Sequence, residues 1–122
     1  MAVPMKLFCV LILFSLLYKG NCQCSVGNIK VSQSPTGSQV LGKTQWRVTI
    51  SNNCGCSQLS ILLDCVGYQT VENVDPAILN SAANVCLFNS GRPLLKSAPI
   101  SFTYAWDNPY PFTPLSSTTY CG

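Results

Sequence analysis

The sequence predicts an all-β fold: a disulfide-stapled, antiparallel β-sandwich of about seven short strands with one short helical turn near Pro76. Three observations carry that expectation. Apolar and polar residues alternate with a period of two in several segments. Clusters of Gly, Pro, Asn and Ser break the chain at intervals of about 8 to 12 residues. Eight cysteines in 122 residues supply staples to a chain too short to rest on a large core.

Residues 1–22 are read as a secretory signal peptide. Met1–Lys6 gives a short cationic start, and Leu7–Tyr18 is a twelve-residue apolar run. Crossing a bilayer takes about 20 such residues, so no stable membrane anchor is expected. Cleavage favours small side chains at the −3 and −1 positions, which Gly20 and Cys22 provide for a cut before Gln23. Residues 23–122 then form a single cysteine-rich β-domain.

Along that domain, Ile29–Ser32 is the first strand candidate, closed by the cluster Ser34-Pro35-Thr36-Gly37. Trp46, Val48 and Ile50 alternate with Arg47, Thr49 and Ser51, and after the turn at Asn52–Cys56 the pattern repeats in Leu59, Ile61, Leu63 and Cys65. Tyr68–Val74 is a weaker strand candidate. Asp75 then offers an N-cap and Pro76 a first helical position. A single turn is expected there, because Asn80–Asn84 has no sustained apolar stripe. Val85–Phe88 is a further strand, ended by Asn89–Pro93. Ile100, Phe102, Tyr104 and Trp106 alternate with Ser101, Thr103 and Ala105, and Leu115–Tyr120 closes the set after the turn at Asp107-Asn108-Pro109.

Cleavage removes Cys9 and Cys22 and leaves Cys24, Cys54, Cys56, Cys65, Cys86 and Cys121. Six cysteines in an oxidising lumen predict three disulfides. Cys54 and Cys56 flank a single glycine, too close for an unstrained mutual bridge, so they staple one short segment to two different places. Cys24 and Cys121 lie where a bridge ties down each end of the domain; the spacing alone selects no unique pairing. A zinc site on the Cys-x-Cys pair is disfavoured, since histidine and paired-knuckle spacing are both absent. No metal or other cofactor is expected.

Seven Lys+Arg against four Asp+Glu give the chain a formal charge of +3, but Lys6 and Lys19 belong to the leader. Five cations against four anions remain in residues 23–122, a net +1. That balance supplies no basic face for a phosphate backbone, and nucleic acid is excluded as a partner. Without histidine, Ser-His-Asp and Cys-His nucleophile systems are unavailable. Glycoside hydrolysis needs two carboxylates across a cleft, and of Asp64, Glu72, Asp75 and Asp107 only Glu72 and Asp107 lack an evident structural role. With neither an Asp-x-Asp motif nor a Gly-rich phosphate loop, no enzymatic activity is expected.

Two readings compete for the aromatic residues. Strand phase assigns Phe102, Tyr104 and Trp106 to the core. Alternatively, Trp106, Tyr110 and Phe112 form an exposed platform that stacks on sugar rings or anchors a protein interface.

The stretches CSVGNIKVSQSPTG at 24–37, GKTQWRVTISNNCGCSQLSILLDCVGYQTVENVDPAIL at 42–79, CLFNSGRP at 86–93 and PISFTYAWDNPYPFTPLSS at 99–117 resemble the tapetum determinant family of small secreted cysteine-rich plant proteins. The resemblance covers essentially all of residues 23–122, with the six cysteines in the family's places. The founding members carry an extra segment between signal peptide and cysteine domain, so this chain resembles a short form. The resemblance implies a ligand secreted to the apoplast, where it engages the ectodomain of a leucine-rich-repeat receptor kinase of the excess-microsporocytes type. Its implied role is cell-fate specification of the anther and tapetum kind. A rigid stapled domain suits that role because it loses little conformational entropy on docking. Candidate partner contacts are Arg92 and Lys96 after the Cys86 strand, and Asp107, Tyr110 and Phe112 after the Trp106 strand. The alternative is an extracellular module that binds wall polysaccharide through Trp106, Tyr110 and Phe112.

Overall fold

The computed structural model describes residues 24–121, so the signal peptide and the cut before Gln23 lie outside the described residues. Seven strands follow one another: β1 (Ile29–Val40), β2 (Lys43–Asn52), β3 (Ser57–Asp64), β4 (Leu79–Ala82), β5 (Val85–Phe88), β6 (Ile100–Ala105) and β7 (Thr113–Tyr120). They form a three-stranded sheet in the order β1-β2-β6 and a four-stranded sheet in the order β4-β5-β3-β7, with antiparallel pairing throughout. The chain is therefore the all-β, disulfide-stapled sandwich that the alternation predicts. Each sheet turns one apolar face inward: Val48, Ile50, Phe102 and Tyr104 from the first meet Ile61, Leu63, Cys86 and Phe88 from the second. Full burial of side chains of this size is worth about 1.5 to 3 kcal/mol each.

Asp75 caps the single expected turn. Its carboxylate accepts the Ala77 N–H at 2.9 Å, and its carbonyl accepts from Ile78 and Leu79. Short 3-10 turns at Val26–Asn28 and Asn89–Gly91 add to it.

Three local readings need correction. The Ser34–Gly37 cluster is no hairpin turn; β1 runs through it and absorbs it as a bulge between Pro35 and Gln39, on an edge strand where a missing N–H is tolerated. The reversal comes later, at Leu41-Gly42, where both central residues take positive φ (50° and 80°), the sign pattern of the I′ turn that fits strand twist. Tyr68–Val74 is not a strand. It crosses the end of β6, where Val71 N–H bonds the Ala105 carbonyl and the Thr70 hydroxyl accepts the Ala105 N–H. In β3 the inward phase begins at Gln58 rather than Leu59, because Ser60 takes φ 52° and the register slips between Leu59 and Leu62. Gln58 is fully buried while Leu59 is half-buried, and the alternation then resumes at Ile61 and Leu63.

The disulfides are Cys24–Cys54, Cys56–Cys121 and Cys65–Cys86. Cys54-Gly55-Cys56 is thus a hub that holds both ends of the domain. Beside it two amides are buried and fully used. Asn52 donates to the Cys56 and Leu94 carbonyls and accepts the Cys54 N–H; Gln58 donates to Asn52 and to the Ser25 carbonyl and accepts from Ser117. Each would cost several kcal/mol if left unpaired in that position.

Candidate functional site

Register defines two ends of the sandwich. On β2 and β6, Ile50 pairs with Ile100 at one end and Gln45 with Ala105 at the other, about 17 Å away along the strands. Asn52, Asn53 and the cysteine hub extend the first end, with the β5–β6 connection fixed there by the Gln58–Leu94 bridge. We call it the disulfide pole. The hairpin tip at Leu41-Gly42, the turn after β3 and the segment 106–112 extend the second, the loop pole.

The loop pole stands on an aromatic cluster. Phe112 lies at the centre, with Tyr68, Phe102, Tyr104 and Tyr110 around it at centroid separations of 4.9 to 5.7 Å and predominantly edge-to-face. Polar tips of the same residues tie the connection down. The Tyr104 hydroxyl donates to Gln33 Oε1 and accepts the Tyr110 N–H, both at 2.6 Å, and Gln33 Nε2 returns a bond to the Tyr110 carbonyl. Tyr110 in turn donates to the Val66 carbonyl at 2.7 Å. Trp46 Nε1 donates to the Trp106 carbonyl, and Lys43 stands 5.0 Å over the Trp106 ring while pairing with Asp107 at 2.9 Å.

The predicted contacts therefore separate. Arg92 and Lys96 are exposed at the disulfide pole, and the Arg92 guanidinium lies against Asn89. Asp107 is exposed and Tyr110 half-buried at the loop pole. Phe112 is buried at 5% exposure and has no face to offer a partner. That burial also removes the three-ring platform, since Tyr110 meets Phe112 at 67° and not in one plane. Sequence reasoning passes over Leu41 and Val66, exposed by 80% and 58% at the loop pole. An apolar residue directly before Gly42, between two alternating segments, is the only signal that marks Leu41.

Charge is divided in the same way. Lys30, Arg92 and Lys96 outnumber Asp75 toward the disulfide pole, whereas Asp64, Glu72 and Asp107 outnumber Lys43 and Arg47 by one toward the loop pole, Arg47 lying in register with the Thr103 that donates to Glu72. Each Asp and Glu side chain among the described residues has a donor of its own: Asp64 the Val66 N–H, Glu72 the side chains of Gln45 and Thr103, Asp75 the Ala77 N–H, and Asp107 the Lys43 ammonium. Among the described residues no three His, Cys, Asp or Glu side chains gather as a metal site. No helix among them is long and apolar enough to cross a membrane. What this geometry offers is a stapled, rigid surface whose two poles differ in charge.

An uncharacterized Arabidopsis thaliana protein is 32% identical over 81 residues, 63% of each chain. This chain thus spans less than two thirds of that relative's length. No solved structure matches it. The model of the family described as "Tapetum determinant 1, C-terminal" matches residues 21–121, which takes in every disulfide and every strand described above. The chain belongs to that family.

Proposed function

We propose that the protein is a secreted plant signalling ligand. Residues 1–22 direct it to the secretory route, and the domain 23–122 acts in the apoplast on the ectodomain of a leucine-rich-repeat receptor kinase, in cell-fate specification of the anther and tapetum type. The observation that carries this reading is the family match over 21–121, the whole disulfide domain. The physics of the domain supports it. Three bridges and a clamped aromatic cluster preorganise the surface, which lowers the entropy lost on docking. With each carboxylate engaged structurally, recognition rather than acid-base chemistry is the role that fits. Arg92, Lys96, Asp107 and Tyr110 remain available as contacts.

The test is a binding assay of the secreted, oxidised protein against immobilised leucine-rich-repeat ectodomains of the excess-microsporocytes receptor class. Saturable binding is expected. Absence of binding to every ectodomain, in an assay where another family member binds, ends the proposal.

A further inference from the structure

We infer that the loop pole is the docking end of the domain and that Leu41 is its anchor, entering an apolar pocket with a basic rim on the receptor ectodomain. This rests on the ligand reading above and adds which end engages, and through which residue.

Leu41 is 80% exposed, more than any other large hydrophobic among the described residues. It also holds the first central position of a two-residue hairpin at φ 50°, before Gly42 at φ 80°. That position suits Asn, Asp or Gly, whose backbones reach positive φ cheaply. A leucine there gains no burial and sits in a penalised backbone region, so the fold loses by it twice. A residue that breaks a local rule without any folding return is expected where it serves a partner.

The surroundings of Leu41 extend that argument. Val66, 58% exposed at the turn after β3 on the same pole, is braced through its carbonyl by Tyr110, and the partly exposed Trp106 ring lies under Lys43. The display is rigid beneath: Phe112, Tyr104 and Gln33 fix the segment 106–112 from inside. Apolar side chains on a stiff base, ringed by polar groups, have the anatomy of an interface centre. Across this pole Asp64, Glu72 and Asp107 outnumber Lys43 and Arg47 by one, so electrostatic complementarity favours a basic rim on the partner. The disulfide pole carries the opposite sign and would select the opposite partner.

Protein secreted from the full-length chain, as wild type, L41N, V66S and R92E/K96E, is compared for thermal midpoint and for affinity to the immobilised ectodomain. L41N is expected to leave the midpoint unchanged or raise it, since asparagine suits the turn, while weakening binding by at least about tenfold. V66S should weaken binding in the same direction, and R92E/K96E should change it by less than about threefold. Binding that survives L41N and V66S but is lost in R92E/K96E overturns the inference and leaves the ligand reading standing. Wild type that binds no ectodomain, where another family member does, brings down the ligand reading and the inference with it. Concentration-dependent dimerisation in sedimentation that L41N abolishes assigns the pole to a second copy and overturns the receptor assignment.

Discussion

Tyr68 and Tyr104 pack edge to face with ring centroids 5.6 Å apart, yet only Tyr104 places its hydroxyl in a chain of hydrogen bonds. The Tyr68 hydroxyl is buried and has no partner among the described residues. The same substitution should therefore act with opposite sign at the two positions. Tyr104→Phe strands the Tyr110 N–H and the Gln33 carbonyl, an expected loss of about 1 to 3 kcal/mol. Tyr68→Phe removes a desolvated hydroxyl whose polar neighbour, the Thr70 side chain, is engaged by the Glu72 backbone, and is expected to be neutral or to stabilise by up to about 1 kcal/mol. Urea unfolding at neutral pH measures both, and a Tyr68→Phe loss as large as that of Tyr104→Phe refutes the account. Burial also raises both phenols above their ordinary pKa of 10.0; the neighbouring Tyr104 adds to the rise at Tyr68, and the Tyr110 N–H partly offsets it at Tyr104. The folded state then keeps protons that the unfolded chain releases. Their contribution is complete below about pH 10 and is lost as pH climbs from there toward the folded values. Thermal midpoints should fall across that window, less steeply in Tyr68→Phe and in Tyr104→Phe.

At the scale of elements, β3 depends on a residue that sequence pattern treats as incidental. Ser60 at φ 52° makes the bulge that lets Gln58 and Ile61 both face inward. A β-branched residue pays most for positive φ and glycine least. Ser60→Val is expected to cost about 1 to 2 kcal/mol and Ser60→Gly to be neutral or mildly stabilising; equal stability of the two variants in chemical denaturation contradicts this. The bulge also shows why legibility stops where it does. The alternations of β2 and β6 are readable because one face of each is dry and the other wet, as Val48 and Arg47 or Phe102 and Ser101 illustrate. β4 leaves no pattern, since three of its four residues are exposed. Gln58 and Asn52 look like surface residues because their burial depends on the distant Ser25, Leu94 and Ser117, which no local window contains. At the candidate site, Asp107 and Tyr110 follow from a turn signal that the sequence displays. Leu41 does not, because it contradicts the turn chemistry on which such reading relies.

For the whole molecule, the disulfides act in two distinct ways that a stability series can separate. Chain entropy favours the long loops: separations of 65, 30 and 21 residues correspond to about 4.3, 3.7 and 3.3 kcal/mol for Cys56–Cys121, Cys24–Cys54 and Cys65–Cys86. Packing reverses that order. Cys65 and Cys86 are 3% and 0% exposed inside the core, whereas the hub cysteines are half-buried or exposed. Deleting two core sulfurs adds about 1 kcal/mol or more for each cavity left. The double substitution Cys65→Ala with Cys86→Ala is thus expected to cost about 5 kcal/mol and to be the most damaging, although it opens the shortest loop. Access adds a kinetic consequence, because a thiolate must reach a sulfur to exchange with it. Under a timed pulse of reductant followed by alkylation, the two hub bridges should open first and the core bridge last. Species that keep Cys65–Cys86 should retain native-like β structure until late in the series, since β5 stays tied to the end of β3 beneath the core. Peptide mapping that finds Cys65 and Cys86 alkylated before Cys24 or Cys121 places the fold's dependence at the hub instead of the core, and refutes this order.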